Sequence, residues 1–296
     1  MALPLDRTNI STEQIHEGTK NLDLLSTLES VEILAADHND AIQAVQHASK
    51  SIATFIDALA LKISNGGRLI YIGCGTSGRL GVLDAAECPP TFQSPPDMII
   101  GLIAGGESSL RHSSEAKEDN PIGIAPEFER IGLNANDTVL GIAAGGTTPW
   151  VLGGLDLANQ LGAMTGILTC SEVSLKADHL IQLNTGAEPL NGSTRLKAGT
   201  ATKLTLNIIT TTLFTKLGKV YGNLMVDLRA SNDKLLDRAI RIVSILCEVD
   251  RVRAASLLET SEGDVKVAIL MHKKTVDAEV ARSMLSSVGG NLRGAL

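Results

Sequence analysis

The sequence predicts an α/β protein: a doubly wound, mostly parallel sheet of about five strands between helices, followed by a small helical domain. Three observations carry this. Residues 69–73, 98–104, 138–144, 164–169 and 180–183 are short, near-continuously apolar runs, as expected of strands covered on both faces. Stretches of helical character separate them over ~150 residues, and strand–helix alternation of this kind builds parallel sheets. Beyond Asn223 no strand signal recurs, and four helical patterns follow one another at 232–246, 250–258, 263–272 and 276–285.

Taken in order, residues 1–36 are polar, with Ser26-Thr27-Leu28-Glu29 suited to open a helix. From Asn39 to about Ser64 one helix is expected, because Ile42, Val45, Ala48, Ile52, Phe55, Ile56, Leu59 and Leu61 recur at helical spacing. Asn65-Gly66-Gly67 stops it. The strand–helix region follows, then a long helix from Ala198 to about Leu217. The last three helical patterns are short and amphipathic, which suits either a self-contained three-helix unit or subunit packing. The domains read as 1–57, an N-terminal helical segment; 58–221, the sheet domain; and 222–296, a C-terminal helical domain. No repeat or low-complexity tract interrupts them.

Composition narrows the function. Of 296 residues, 44% are hydrophobic, which supplies a sizeable aliphatic core. One Trp, two Tyr and four Phe leave no stacking platform for single-stranded nucleic acid. A net charge of −7 opposes a polyanion partner but leaves room for a small anion in one local pocket. The start lacks the basic head and apolar core of a signal peptide, and no run reaches the ~18 apolar residues of a membrane span. Cysteines 74, 88, 170 and 247 show neither close pairing nor metal spacing. The expectation is a reduced, soluble, cytoplasmic protein with no membrane or nucleic-acid partner.

In doubly wound sheets ligands sit outside the carboxyl ends of the strands, so the loops after each run are where chemistry belongs. The first, Gly73-Cys74-Gly75-Thr76-Ser77-Gly78, matches G-x-G-x-x-G, and Glu107 after the second strand stands where a dinucleotide's ribose would look for a carboxylate. The hydroxyls of Thr76 and Ser77 beside Gly75, at a helix N-terminus, suit a phosphate monoester instead. The third strand ends in Ala144-Gly145-Gly146-Thr147-Thr148-Pro149, a second glycine–hydroxyl turn, with Pro149 fitted to a first helical turn. Two such loops favour a phosphosugar over a dinucleotide. A third polar segment, Gly192-Ser193-Thr194-Arg195-Leu196-Lys197, precedes the long helix; Ser193 and Thr194 suit either capping or ligand contact.

The stretch 75–91, Gly-Thr-Ser-Gly-Arg-Leu-Gly-Val-Leu-Asp-Ala-Ala-Glu-Cys-Pro-Pro-Thr, resembles the signature of N-acetylmuramic acid 6-phosphate etherases. Residues 101–107, 197–201 and 222–227 are also similar to family segments, and the likeness covers nearly the whole chain. It implies a sugar isomerase (SIS) type sheet domain, with the C-terminal helices resembling a ubiquitin-associated-like unit. The family's second loop usually reads Ala-Ser-Gly-x-Thr-Pro. Here Gly145 replaces the serine and Thr147 adds a hydroxyl beside Thr148, which moves the expected phosphate contact by two residues.

The resemblance also implies the reaction: cleavage of the ether joining D-lactate to carbon 3 of the sugar, giving N-acetylglucosamine 6-phosphate and D-lactate. Glu87 and Glu118 stand at the family's acid/base positions. Both steps are proton transfers, so the implied chemistry needs neither metal nor redox cofactor. Pro89 is expected to end the first helix just after Glu87, where the helix dipole disfavours negative charge. A helix from Gly78 would carry Glu87 ~13 Å from the phosphate loop. Either the helix bends back early or Glu87 serves a partner's site, and the reading favours a homodimer with composite sites. Glu118 belongs to an acidic run, 115–119, that reads alone as a solvated helix face; His112 is an alternative acid/base. Glu188 resembles the catalytic glutamate of SIS-type isomerases and is expected, with Lys197, Ser193 and Thr194, among the substrate contacts.

Overall fold

The computed structural model describes residues 7–113, 117–174, 176–228 and 233–296. The chain divides into two compact units, Met1–Ala86 with Pro96–Thr210, and Glu87–Pro95 with Thr211–Leu296.

The first unit opens with three 3-10 turns, Ser11–Glu13, Glu17–Thr19 and Leu22–Leu24. Helix α1 (Thr27–Asp37) starts where the serine pattern pointed, because Ser26 and Glu29 form a reciprocal capping box. The single helix expected over 39–64 is two, α2 (Asn39–His47) and α3 (Ser49–Ser64), broken at Ala48. Ser49 Oγ donates to the Gln46 carbonyl at 2.6 Å, so a side chain competes for an oxygen of the helical ladder at that joint.

Strands β1 (Leu69–Gly73), β2 (Ile99–Ile103), β3 (Thr138–Ile142), β4 (Met164–Thr169) and β5 (His179–Gln182) form one sheet in the order β2-β1-β3-β4-β5. Every pairing is parallel. Helix α4 (Gly75–Phe92) follows β1, α5 (Ala125–Ile131) precedes β3, α6 (Pro149–Gln160) follows β3, and α7 (Lys197–Lys216) follows β5. Every residue of β1 and β3 is buried, which explains their unbroken apolar character. Ile72, Val139 and Ile167 from the sheet pack with Trp150, Val151 and Leu155 of α6 and with Ile124 and Phe128. Each such aliphatic burial stabilises by ~1.5–3 kcal/mol relative to exposure. Below the sheet, the Arg68 guanidinium grips Asp137 through two hydrogen bonds of 3.0 and 2.6 Å.

In the second unit a hairpin of β6 (Val220–Tyr221) and β7 (Leu224–Met225) turns at Gly222-Asn223. It corrects the expectation of no strand beyond Asn223; two-residue strands are too short to show an alternation. Helices α8 (Asp233–Cys247), α9 (Arg251–Thr260), α10 (Val265–Lys274) and α11 (Ala278–Ser287) correspond to the four helical patterns. Asn232, where the first was expected to begin, lies outside the described residues. A final turn, α12 (Leu292–Ala295), was too short to detect by periodicity. Asp250, Asp264 and Asp277 each cap the helix that follows, accepting from Arg253, Val267 and Val280. Ile242, Val243, Leu257, Val267 and Leu270 share this unit's core. Among the described residues no helix is long and apolar enough to cross a membrane.

Candidate active site

The strand order reverses between β1 and β3, so the crevice at their carboxyl ends is the topological switch point. The first two hydroxyl loops flank it. After β1 the chain folds back hard upon itself. A Cβ placed on Gly78 would lie 2.5 Å from the Gly73 carbonyl oxygen and 2.7 Å from Ile103, so only glycine fits there. Gly75 turns with φ +49° and α4 begins. Its first turn carries Thr76 and Ser77, both half-buried, with a helix N-terminus behind them. After β3, Gly146 adopts φ +69° and Thr148 becomes the N-cap residue of α6, with Pro149 at its first position. Thr148 makes no side-chain capping bond, and Thr147 beside it is half-buried.

Glu118 comes to the first loop. A Cβ on Gly75 would stand 3.5 Å from Glu118 Oε1, and the Glu118 carbonyl accepts the Trp150 N–H at 3.0 Å, tying this segment to the start of α6. The Cys74 thiol is pushed well up from its usual range, chiefly by burial and then by the charges of Glu118 and Asp119. The solvated helix face expected for 115–119 is therefore not what surrounds Glu118, which is half-buried in a turn; Glu115 lies outside the described residues. Arg79 on α4 donates to the carbonyls of Leu110 and His112, holding the chain that leads towards Glu118. His112 itself is exposed.

At the third segment neither Ser193 nor Thr194 is what caps the helix. The start of α7 is held by Glu188, whose carboxylate accepts the N–H of Lys197 at 3.0 Å and of Ala198 at 2.9 Å. Glu188 is fully buried, and burial raises its pKa while those two bonds work against the rise. Ser193 and Thr194 precede this junction and are half-buried. Lys197 is buried as well, its ammonium bound to Asp37 at 2.9 Å and Asp40 at 3.2 Å. Gly199, in the first turn of α7, brings the helix against the first loop: a Cβ there would meet the Thr76 methyl at 3.5 Å. The three hydroxyl segments are thus neighbours at one edge of the sheet.

Glu87 stands exposed on α4, which runs through Pro89 and Pro90 to Phe92. The expectation that Pro89 ends this helix fails. Two missing N–H groups are tolerated in its last turn, which closes with Gln93 donating to the Pro89 carbonyl. In the second unit Phe92 stacks on Phe214 with ring centroids 4.4 Å apart, so packing holds the helical end in place.

Sequence reasoning missed the N-terminal segment altogether. Ser11 and Thr12 reach Ser171, just beyond β4, at 3.2 and 3.3 Å. Asn191 donates to the carbonyls of Glu13 and Gln14. No periodicity marks such a segment, because its partners are single polar side chains, Ser171 and Asn191, that lie 159 to 178 residues away.

Fold and site together define an α/β protein whose glycine–hydroxyl turns meet at the switch point of a five-stranded parallel sheet, with a carboxylate beside them. Residues 51–159 match the glucokinase regulatory protein N-terminal SIS domain, and residues 222–284 match the C-terminal lid domain of glucokinase regulatory protein. The N-acetylmuramic acid 6-phosphate etherase of Crocosphaera subtropica is 49% identical over 98% of this chain and 96% of its own length. That of Trichormus variabilis is 48% identical over 100% of this chain and 97% of its own. The chain belongs to the N-acetylmuramic acid 6-phosphate etherase family. Among solved structures, phosphoheptose isomerase GmhA from Neisseria gonorrhoeae aligns with 64% of this chain and 100% of its own, at 18% identity and a TM-score of 0.47.

Proposed function

We propose that this protein is a carbon–oxygen lyase that cleaves the D-lactyl ether of N-acetylmuramic acid 6-phosphate, releasing N-acetylglucosamine 6-phosphate and D-lactate in the recycling of cell-wall amino sugar. Near-half identity to the etherases along the whole chain is the observation that carries this. The geometry of the first loop supports the phosphate end of the reading, since Gly75, Thr76 and Ser77 present amides and hydroxyls at a helix start. Thr147 and Thr148 stand across the switch point, and Ser193 and Thr194 close the third side.

Ring opening exposes an aldehyde at carbon 1 and acidifies the proton on carbon 2. One carboxylate removes that proton, and the electron pair passes to the aldehyde oxygen as an enolate. The enolate then collapses: the double bond between carbons 2 and 3 forms as the carbon 3–oxygen bond breaks, and the ether oxygen takes a proton from the second carboxyl group. Lactate leaves, and water adds at carbon 3 while carbon 2 regains its proton. Glu118, beside the phosphate loop, and Glu87 are assigned these two roles. The phosphate anchors the substrate, and its binding energy holds the reacting carbons in place. We assign Glu87 to the site of a neighbouring subunit, in a cytoplasmic homodimer with composite sites. Glu188 and Lys197 support the 192–197 segment from beneath.

Incubation with N-acetylmuramic acid 6-phosphate and an assay for D-lactate tests the reading. Lactate is expected at a rate that falls by about two orders of magnitude or more in Glu118→Gln, the usual weight of a positioned proton-transfer group. Tight binding of the sugar phosphate without lactate would instead make the protein a sensor. An isomerase would need Glu188 as its base, but both its oxygens already hold α7.

A further inference from the structure

Glu118 opens a short stretch of chain, 118–123, that reads Glu-Asp-Asn-Pro-Ile-Gly. The Gly123 N–H donates to the Asn120 carbonyl at 3.1 Å, and the Ile122 N–H donates to Asn120 Oδ1 at 3.1 Å, closing a turn around Pro121. Proline fixes its own φ, so the turn is stiff. It is seated on α6 at three points. The Trp150 N–H donates to the Glu118 carbonyl at 3.0 Å. The Trp150 ring closes on Gly123, where a Cβ would lie 3.0 Å from its Cδ1 and 3.2 Å from its Nε1. At Gly153, one helical turn beyond Trp150, a Cβ would overlap the Pro121 carbonyl oxygen and stand 2.7 Å from its carbon.

Gly153 lies within a helix and has no left-handed backbone, so its own conformation does not demand glycine. The neighbouring turn does. The helix has little room to yield, because its other side is packed on the sheet. Val151 and Leu155 are buried together with Ile72, and a Cβ on Gly154 would lie 2.7 Å from Ile72 Cδ1. Pro121 and Ile122, by contrast, are exposed. A side chain at position 153 therefore lifts the turn, and Glu118 with it, rather than moving α6. Since α6 starts at Pro149, directly after Thr147 and Thr148, one helix carries the second hydroxyl loop and sets where Glu118 stands.

We propose that Gly153 is a positioning residue for the reaction: by letting the Pro121 carbonyl close onto α6, it fixes the place of the Glu118 carboxyl group relative to the bound sugar. The inference rests on the lyase reading given above, in which Glu118 transfers a proton.

The test assays the full chain for D-lactate release and titrates it with N-acetylglucosamine 6-phosphate, using Gly153→Ala alone and combined with Glu118→Gln. Alone, Gly153→Ala should lower kcat by about a hundredfold, the weight of an ångström's misplacement of a reacting group. Its Kd for N-acetylglucosamine 6-phosphate should stay within about twofold of wild type, because the hydroxyl turns do not move. In the Glu118→Gln background the same substitution should cost no more than about twofold, since a glutamine transfers no proton from any position. Trp150 is the only tryptophan, and its emission should shift to the red as the lifted turn uncovers the indole edge. An unchanged kcat, an equal loss with and without Glu118, binding weakened in step with turnover, or an unmoved emission overturns the proposal. If Gly153→Ala melts near the assay temperature, Asn120→Ala decides, because it loosens the turn without touching α6. A loss in kcat of about fivefold, the weight of one hydrogen bond, that vanishes in the Glu118→Gln background supports the assignment. No loss, or the same loss in both backgrounds, overturns it. Wild-type protein that releases no lactate sinks the lyase reading and this one with it; an active wild type beside an unaltered Gly153→Ala sinks this one alone.

Discussion

Asp84 shows how a single buried charge is made tolerable. Its carboxylate accepts from Tyr71 at 3.0 Å, Asn207 at 2.9 Å and Thr210 at 3.2 Å, joining α4 to β1 and α7. Burial raises its pKa all the same, with the three hydrogen bonds opposing. A carboxyl group whose folded pKa lies above its unfolded value stabilises the fold most when protonated, and that contribution is lost as pH rises through the folded pKa. Asp84→Asn keeps the shape and removes the charge. Its melting temperature relative to wild type should therefore climb as pH increases from about 4 towards 7; thermal melts across that range check the slope, and a difference constant with pH would refute it. Gly78 poses the opposite constraint, steric rather than electrostatic. Gly78→Ala must push the Gly73 carbonyl or Ile103 aside, at a cost of about 1–3 kcal/mol, and should weaken sugar-phosphate binding more than it lowers the melting temperature. Parallel melts and titrations separate the two losses.

At the scale of elements, legibility followed the physics of burial. The five strands could be read because both faces are covered, which forces unbroken apolar runs such as Leu69-Ile70-Tyr71-Ile72. The glycines of the first two turns, Gly145 excepted, were legible because each serves a tight backbone approach or a left-handed residue. The helix boundaries set by side chains several residues or many residues away were not. Glu188 caps α7 from outside the helix, nine residues before Lys197, so no local capping signal announces it. Likewise α4 continues past two prolines, against the local rule, and its last turn is packed through Cys88 and Phe92, both buried. Local caps, by contrast, act where they stand. Asp277→Ala should destabilise α11 by about 1 kcal/mol, and Asp277→Ser should recover most of it, since either side chain can accept the Val280 N–H. Hydrogen exchange at the first turn of α11 would report the local loss even if the global melt barely moves.

For the whole molecule, the proposed mechanism requires two carboxylates on different stretches of chain to serve one sugar. Glu118 stands beside Gly75, whereas Glu87 occupies the far part of the helix that Gly75 begins. At 1.5 Å per residue, a straight helix separates position 87 from position 78 by ~13 Å, longer than the span from a hexose phosphate to its second and third carbons. A second copy of the chain resolves this if it contributes its own Glu87. The arrangement has a consequence that no single-chain site shares. On that proposal Glu87→Gln and Glu118→Gln proteins should each lose nearly all activity alone, whereas a mixed dimer of the two would contain one site in which both glutamates are intact. Mixing the two variants after mild dissociation should therefore restore D-lactate release to about a quarter of the wild-type rate, because half of the randomly reassorted dimers are mixed and each has one working site. If both glutamates act within one chain, every site in the mixture carries a substitution and no activity returns.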